Sequence, residues 1–366
     1  MGIVKTIESK KAEIEELRLL LLKSANIGEY KRSERQQHED EDEDQPRSKQ
    51  VIKEDDEEED KLVCVTSGLS YLGLAIVNHL LNLGYSVRIA VDNEEDMDKL
   101  REMQILEQTR GHRDGVSAVI VEITDIESLC KAFHGCCGIF HTSAFIDPSG
   151  VSGYTKYMAE LEVKASVNVI EACARTESVR KCVFTSSLLA CVWHDIAVHD
   201  LPPVVDHNCW SEESVCRDKK LWFALGKTMA ERAAWRMAED RELKLATICA
   251  GFLTGPDFFR RNSTSSIAYL KGAQEMYAEG LLATTDVSKV AEAHVCVYEA
   301  LRSTACGRYI CFDSVIQTEE EAFELAGQME MPQQRISGNL PNDSHAQSKL
   351  CNRKLLRLMS RQSRCT

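Results

Sequence analysis

Leu62-Val-Cys-Val-Thr66 is followed by Ser67-Gly-Leu-Ser-Tyr-Leu-Gly73 and then by an apolar run from Ala75 to Leu83. Five uncharged residues rich in β-branched side chains read as a short buried strand. The polar, glycine-bearing heptapeptide reads as a turn. Ala75 to Leu83 predicts a helix ended by Gly84, and Tyr85 to Val91 predicts a second strand. Strand, glycine turn, helix and strand in that order open a doubly wound βαβ unit. Further strands are expected at Ala118 to Val121, Gly138 to His141, Lys181 to Thr185 and Leu245 to Cys249, with helices at Tyr154 to Arg175 and Lys220 to Asp240. That alternation predicts an α/β fold, a Rossmann-type doubly wound parallel sheet covered on both faces. After Gly255-Pro256 the pattern is mostly helical and predicts a smaller C-terminal lobe, with Arg308 to Phe312 as a late strand. The last thirty residues are polar and basic, with an end expected to fray.

The chain has 366 residues, 43% of them hydrophobic, enough for a sizeable core. Its organisation reads as an amphipathic helix over 1–24, an acidic disordered linker over 25–60, a dinucleotide-binding domain over 61–255, and a lobe with a tail over 256–366. Residues 39–60 carry thirteen acids against three bases, −10 of the chain's net −14, so the folded part is only mildly acidic. No basic stripe suggests nucleic acid. The 15 cysteines are scattered without CxxC pairs, and no secretory leader or long apolar run precedes them. They read as reduced thiols of a cytoplasmic protein, and no Cys/His cluster has metal-ligand spacing. In the first helix Ile7, Ile14, Leu17 and Leu21 share one side. Two readings stand for it, a short coiled coil offering self-association or a protein partner, and a helix docked on its own domain. Met1-Gly2-Ile-Val-Lys-Thr6 also matches the N-myristoylation pattern. Such short patterns recur by chance, and one acyl chain anchors weakly, so no stable membrane insertion is expected.

The most specific stretch is Lys220-Leu-Trp-Phe-Ala-Leu-Gly-Lys227. Residues four apart share a helix face, so Phe223 and Lys227 point the same way. Lys181-Cys-Val-Phe-Thr-Ser-Ser187 is a strand that ends in hydroxyls. With Trp222 and Gly226 flanking, the first stretch resembles KNWYCYGK, the active-site helix of the cinnamoyl-CoA reductase and dihydroflavonol reductase branch of the extended short-chain dehydrogenases. The resemblance implies a catalytic trio at Ser187, Phe223 and Lys227, with phenylalanine in place of tyrosine. A lysine beside a tyrosine lowers the phenol's pKa, and the phenol then protonates a carbonyl oxygen while a nicotinamide donates hydride. A serine holds that carbonyl.

The resemblance also assigns the cofactor site. The family's TGxxGxxG stands here as Thr66, Ser67, Gly68, Leu69, Ser70, Tyr71, Leu72 and Gly73, with serines at two of the three glycine positions. Serine carries a Cβ and disfavours positive φ. Asp92, at the end of the second strand, is placed to accept from the adenosine ribose and repel a 2′-phosphate. It leans to NAD, whereas the family leans to NADP. Lys99 and Arg88 lie near in sequence as candidate phosphate partners. Glu122-Ile123 stands for an Asp-Leu pair near adenine, and Phe140-His141-Thr142 matches a strand end beside the cofactor. Ala250-Gly251-Phe252, Val290 to His294 and Cys351 to Leu355 match later landmarks, so the likeness covers roughly 61–360.

Two departures bear on activity. Family members acting on CoA thioesters carry a His-x-x-Lys pair after the Gly-Pro turn, where this chain has Ser265 and Ala268. It is more similar to the cinnamoyl-CoA reductase-like group of plants. Phe223 cannot donate a proton. Two readings follow: an NAD(P)-dependent reductase of a phenylpropanoid-type carbonyl or thioester, slowed or with a displaced donor, and an inactive NAD(P)-binding protein that works through partners.

Overall fold

A computed structural model describes residues 61–102, 115–142, 154–195, 204–241, 243–256, 265–302, 305–338 and 348–362. The amphipathic helix, the acyl-acceptor hexapeptide and the acidic linker lie outside them.

Seven strands form one all-parallel sheet: β1 (Leu62–Thr66), β2 (Ser86–Val91), β3 (Val116–Ile120), β4 (Gly138–His141), β5 (Lys181–Ser187), β7 (Lys244–Ala250) and β10 (Gly307–Cys311). Their order is β10-β7-β5-β4-β1-β2-β3, so the winding reverses between β1 and β4. At that switch point a crevice opens beyond the strands' carboxyl ends. Short strands complete the rest. β6 (Val204–Val205) pairs with β12 (Lys349–Leu350), and β9 (Ala283–Asp286) pairs with β8 (Phe252–Thr254) on one side and β11 (Ser314–Val315) on the other.

Helices are α1 (Tyr71–Asn82), α2 (Glu94–Glu102), α3 (Ile126–Phe133), α4 (Lys156–Arg175), α5 (Glu213–Asp218), α6 (Trp222–Asp240), α7 (Ala273–Ala278), α8 (Val287–Ala300), α9 (Glu319–Gln328), α10 (Gln334–Ser337) and α11 (Arg353–Gln362). Strand side chains alternate between the two faces. Val63 and Val65 join α1, α8 and α11 in one apolar layer, while Cys64 between them joins α3, α4 and α6 in the other. Val183 and Ile248 lie in the first layer, and Cys182, Phe184 and Leu245 in the second. The inner strands thus need apolar side chains on both faces, which is why their runs lack the polar alternation of a one-sided sheet; the edge strand β3 is only partly covered.

A third cluster, with Phe223, Phe252, Tyr269, Leu282 and Ile336, forms the core of the smaller region beside the crevice. The boundary expected at residue 255 is crossed. α8 packs on the main sheet, and β10 adds to its edge beside β7, because both carry apolar residues matched to the exposed side of that sheet. The tail is anchored by Leu355 and Leu358 of α11, buried in the first layer. No helix among the described residues is long and apolar enough to cross a membrane. The cysteines among them are all free thiols.

Candidate functional site

The turn after β1 builds the first wall of the crevice. Its two serines behave differently. Ser67 has φ 48, a left-handed conformation that favours glycine. Ser70 has φ −64 and caps α1, its Oγ accepting from the Gly73 N–H at 3.1 Å. A serine there costs no backbone strain and satisfies a helix-end donor. The remaining glycines are required by contact. A Cβ on Gly68 would come 2.8 Å from Ile89 Cγ2, and one on Gly73 would come 2.3 Å from the Ser67 carbonyl oxygen. The turn is thus packed tightly on β2 and on itself, and Ser67 and Leu69 to Leu72 line the crevice at the start of α1, the geometry that suits a pyrophosphate at a helix N-terminus. Thr66 holds the adjoining strand end, its Oγ1 accepting from the Thr142 N–H at 3.1 Å and lying 3.0 Å from His141 Nδ1. Burial, and after it the Lys227 charge, hold His141 down to about 3, so its imidazole is neutral.

The second wall is the carboxyl end of β5 and the first turns of α6. Ser187 is buried there, its Oγ accepting from the Leu189 N–H at 3.2 Å. Ser186 donates at 2.6 Å to Glu231 of α6, and Glu231 also takes Thr247 at 2.6 Å and Arg308 Nε at 2.8 Å. These bonds tie β5, β7, β10 and α6 together behind the site. One turn of helix separates Phe223 from Lys227, whose Nζ lies 5.8 Å from the phenyl centroid.

Lys227 Nζ also meets a partner that the sequence motifs did not name: Glu162 of α4, at 2.6 Å, with both side chains buried. The other Glu162 oxygen accepts from the Tyr154 hydroxyl at 3.0 Å. Tyr154 in turn packs edge-on against Phe223, centroids 5.0 Å apart. Burial, then the Glu162 charge, raise the Tyr154 phenol well above its ordinary range. A signal for Glu162 exists: Met158, Glu162, Ala165, Ser166 and Val169 share one buried face of α4, so a carboxylate there needs a cation inside.

These walls enclose a cleft of about 330 Å³. Its lining includes Asp92 and Asp96, the Ser67–Leu72 turn, Thr142, Ser187, Phe223 and Lys227, and Phe252, Ser265, Ser266 and Tyr269. Of the sequence-predicted residues it thus gathers Ser67, Ser70, Tyr71, Leu72, Asp92, Thr142, Ser187, Phe223 and Lys227, with Thr66, Gly68, Gly73 and His141 directly behind. Tyr71 spans the cleft, donating to the Pro256 carbonyl at 2.9 Å. Glu122, Ile123 and Lys99 are not among the lining residues. Glu122 accepts from Thr124, and Ile123 packs on the second apolar layer. Lys99 lies 2.7 Å from Asp96, an acid-to-base pair one helical turn apart. Arg88 corrects the sequence reading: its Nη1 donates at 2.7 Å to the carbonyls of Ala132 and His134, at the end of α3 and away from the cleft. Partial desolvation, then the Asp96 charge, raise the Asp92 carboxyl above its ordinary value.

This arrangement can be set beside known proteins. The 3-beta hydroxysteroid dehydrogenase/isomerase family matches residues 64–315. Cinnamoyl-CoA reductase 1 of Petunia hybrida is 35% identical over 262 residues, 70% of this chain and 74% of that protein. The chain belongs to the cinnamoyl-CoA reductase branch of the extended short-chain dehydrogenases. It is thereby a member of an NAD(P)-dependent oxidoreductase family. Tetraketide alpha-pyrone reductase 1 of Arabidopsis thaliana is 30% identical, over 70% of this chain and 78% of its own. The crystal structure of vestitone reductase from alfalfa superposes with a TM-score of 0.58 at 25% identity, over 81% of this chain and 91% of that one. Yeast Gre2 complexed with NADPH superposes at 0.60 with 18% identity, over 82% and 93%, a likeness of fold.

Proposed function

We propose that this cinnamoyl-CoA reductase relative reduces a phenylpropanoid-type carbonyl or thioester, and that it does so without a phenol at the proton-donor position. One observation carries the reading: Ser187, Phe223 and Lys227 meet in the same cleft as the close-packed turn around Gly68 and Gly73. The turn suits a dinucleotide, since Gly68 and Gly73 let it pack tightly against β2 and on itself and it brings the α1 N-terminus to the cleft, where Ser67 and Leu69 to Leu72 line it. When bound, the nicotinamide supplies hydride. The chain's own residues do the rest. Ser187 Oγ holds the substrate oxygen, and Lys227 adds positive charge and a donor to the nearby ribose. Phe223 excludes water from that side and gives no proton, so the alkoxide takes its proton from water in the cleft or from Ser187. Asp92 receives the adenosine ribose hydroxyls and weighs toward NAD. Of the two bases that would welcome a 2′-phosphate, Arg88 is held by carbonyls away from the cleft, and Lys99 is neutralised by Asp96 beside Asp92. Ser265 lines the cleft where a CoA phosphate partner is expected, which weighs toward an uncharged carbonyl substrate.

A second reading, dinucleotide binding without turnover, is favoured by the Lys227–Glu162 pair, which offsets the charge the chemistry draws on. Hydride transfer from NADH and NADPH to a panel of cinnamoyl aldehydes, ketones and thioesters separates the two. The reductase reading expects turnover slower than a tyrosine-bearing relative by a factor of about 10²–10⁴. Cofactor binding with no transfer to any substrate rejects it.

A further inference from the structure

The outer face of α11 is basic and unpaired. Between Lys349 and Thr366 stand Lys349, Arg353, Lys354, Arg357, Arg361 and Arg364, and not one acid. Leu355 and Leu358 turn the helix's apolar side into the first layer. That leaves Arg353, Arg357 and Arg361, one turn apart, exposed on the other side, with Leu356 among them, 44% exposed. None of the three arginines forms an ion pair among the described residues. Elsewhere on the surface Arg101, Arg175, Arg217 and Arg241 each sit on a carboxylate. α11 flanks the edge strand β10. Asn352 Nδ2 donates to the Phe312 carbonyl at 3.0 Å, just past one end of that strand, and Lys354 Nζ to the Cys306 carbonyl at 2.7 Å, just before the other.

Charge complementarity names the occupant. Residues 39–60 hold thirteen acids against three bases. Val51-Ile52 stands between the acidic runs Glu39–Asp44 and Glu54–Asp60, the counterpart of a leucine among arginines. This segment joins the described fold at β1. The strand registers place Val63, Gly138, Lys181 and Lys244 side by side across β1, β4, β5 and β7. Along that amino edge Lys244 and the neighbouring Arg180 are exposed bases on the way to β10. From β1 to β10 is four strand spacings, roughly 19 Å. Glu54–Asp60, extended, covers roughly 24 Å, so the acidic segment is long enough to reach α11. Exposed ion pairs are individually weak, which favours a partner tethered at an effective concentration of about millimolar over a free one.

We propose that residues 39–60 of this chain dock on the outer face of α11, with their acids on Arg353, Arg357 and Arg361 and Val51-Ile52 on Leu356. The contact uses no residue of the cleft, so it stands apart from the reductase reading.

The test uses the full-length protein at low salt and limited digestion with trypsin, which cuts the segment after Arg47, Lys49 and Lys53. Three exposed pairs together should protect those bonds about tenfold. Cleavage there is expected to be about tenfold faster in Arg353→Gln/Arg357→Gln/Arg361→Gln than in the wild type, and about twofold faster in Arg357→Gln alone. Glutamine is as good a helix former as arginine, and circular dichroism checks that each variant keeps its fold. If the triple variant loses its helical signal, the single one decides. A carbodiimide, applied to a mixture of ordinary and isotope-labelled protein, should join carboxylates of 39–60 to Lys349 or Lys244 within one chain. Equal cleavage rates in the wild type and the folded variants overturn the proposal. So do crosslinks found only between two copies, which would give the face to a second molecule. Arginine-dependent retention on phosphatidylserine vesicles with unchanged cleavage also overturns it and gives the face to a membrane surface.

Discussion

Restoring the missing hydroxyl by Phe223→Tyr tests whether Glu162 masks Lys227. Lys227 Nζ lies 5.8 Å from the Phe223 ring centroid. A lone ammonium at that range, with an effective dielectric near 20, would stabilise a phenolate by about 3 kcal/mol, on the order of a hundredfold in acidity. The Glu162 carboxylate sits 2.6 Å from the same ammonium and opposes most of that field. The single substitution is therefore expected to raise hydride transfer by less than about tenfold. Phe223→Tyr/Glu162→Gln should reach about 10²–10⁴. Glutamine keeps one oxygen for Lys227 and turns its amide N–H toward the Tyr154 hydroxyl, which then accepts; a buried lysine with a neutral partner costs about 3–5 kcal/mol, so thermal unfolding of each variant must accompany the kinetics. Single-turnover NADH oxidation, followed from neutral to alkaline pH, gives both rate and apparent acid midpoint. The midpoint should be lower in the double variant, and adding Lys227→Ala should abolish the gain. Equal rates and equal midpoints in the single and double variants would refute the masking argument.

Three further outcomes are expected. Asp92 has a raised pKa, so its charge and its repulsion of a 2′-phosphate are present above that value and lost as pH falls through it; the NAD-over-NADP affinity ratio should shrink on acidification in the wild type and be small and flatter in Asp92→Asn, by calorimetry. Ser67→Gly relieves a left-handed serine and should raise unfolding free energy by about 0.5–1 kcal/mol, read from denaturant midpoints. His141 is held at about 3 against 6.5 unfolded, so the unfolded chain binds the extra proton between those values; stability should fall by up to about 1.4 kcal/mol per pH unit below about 6.5, and His141→Gln should flatten that slope.

The sheet was legible because strands buried on two faces are continuous apolar runs. Lys181 to Ser187 and Gly138 to His141 stand where their hydrophobicity put them. Helix starts were less legible. The apolar run predicts α1 from Ala75, but the helix begins at Tyr71, because Ser70, standing at a motif glycine position, caps it with φ −64. Phe223 and Lys227 share a face by spacing alone. Their partner Glu162 lies 65 residues before Lys227, and such pairings depend on how α4 and α6 pack. Arg88 shows the same limit from the other side: nearness to Asp92 in sequence says nothing of where a long side chain ends.

Arg308 gives the order of synthesis a bearing on the site. Glu231 is fully buried, and its guanidinium partner arrives 77 residues later on β10. At about 5–20 residues per second the ribosome leaves that carboxylate waiting for several seconds. During that interval the Glu231 bond to Ser186, next to Ser187, lacks its counter-charge, and a dry interior would disfavour it. The carboxyl end of β5 gains its last tie only when the edge strand docks, so a chain truncated before residue 308 should keep most of the sheet and lose the packing behind Ser187.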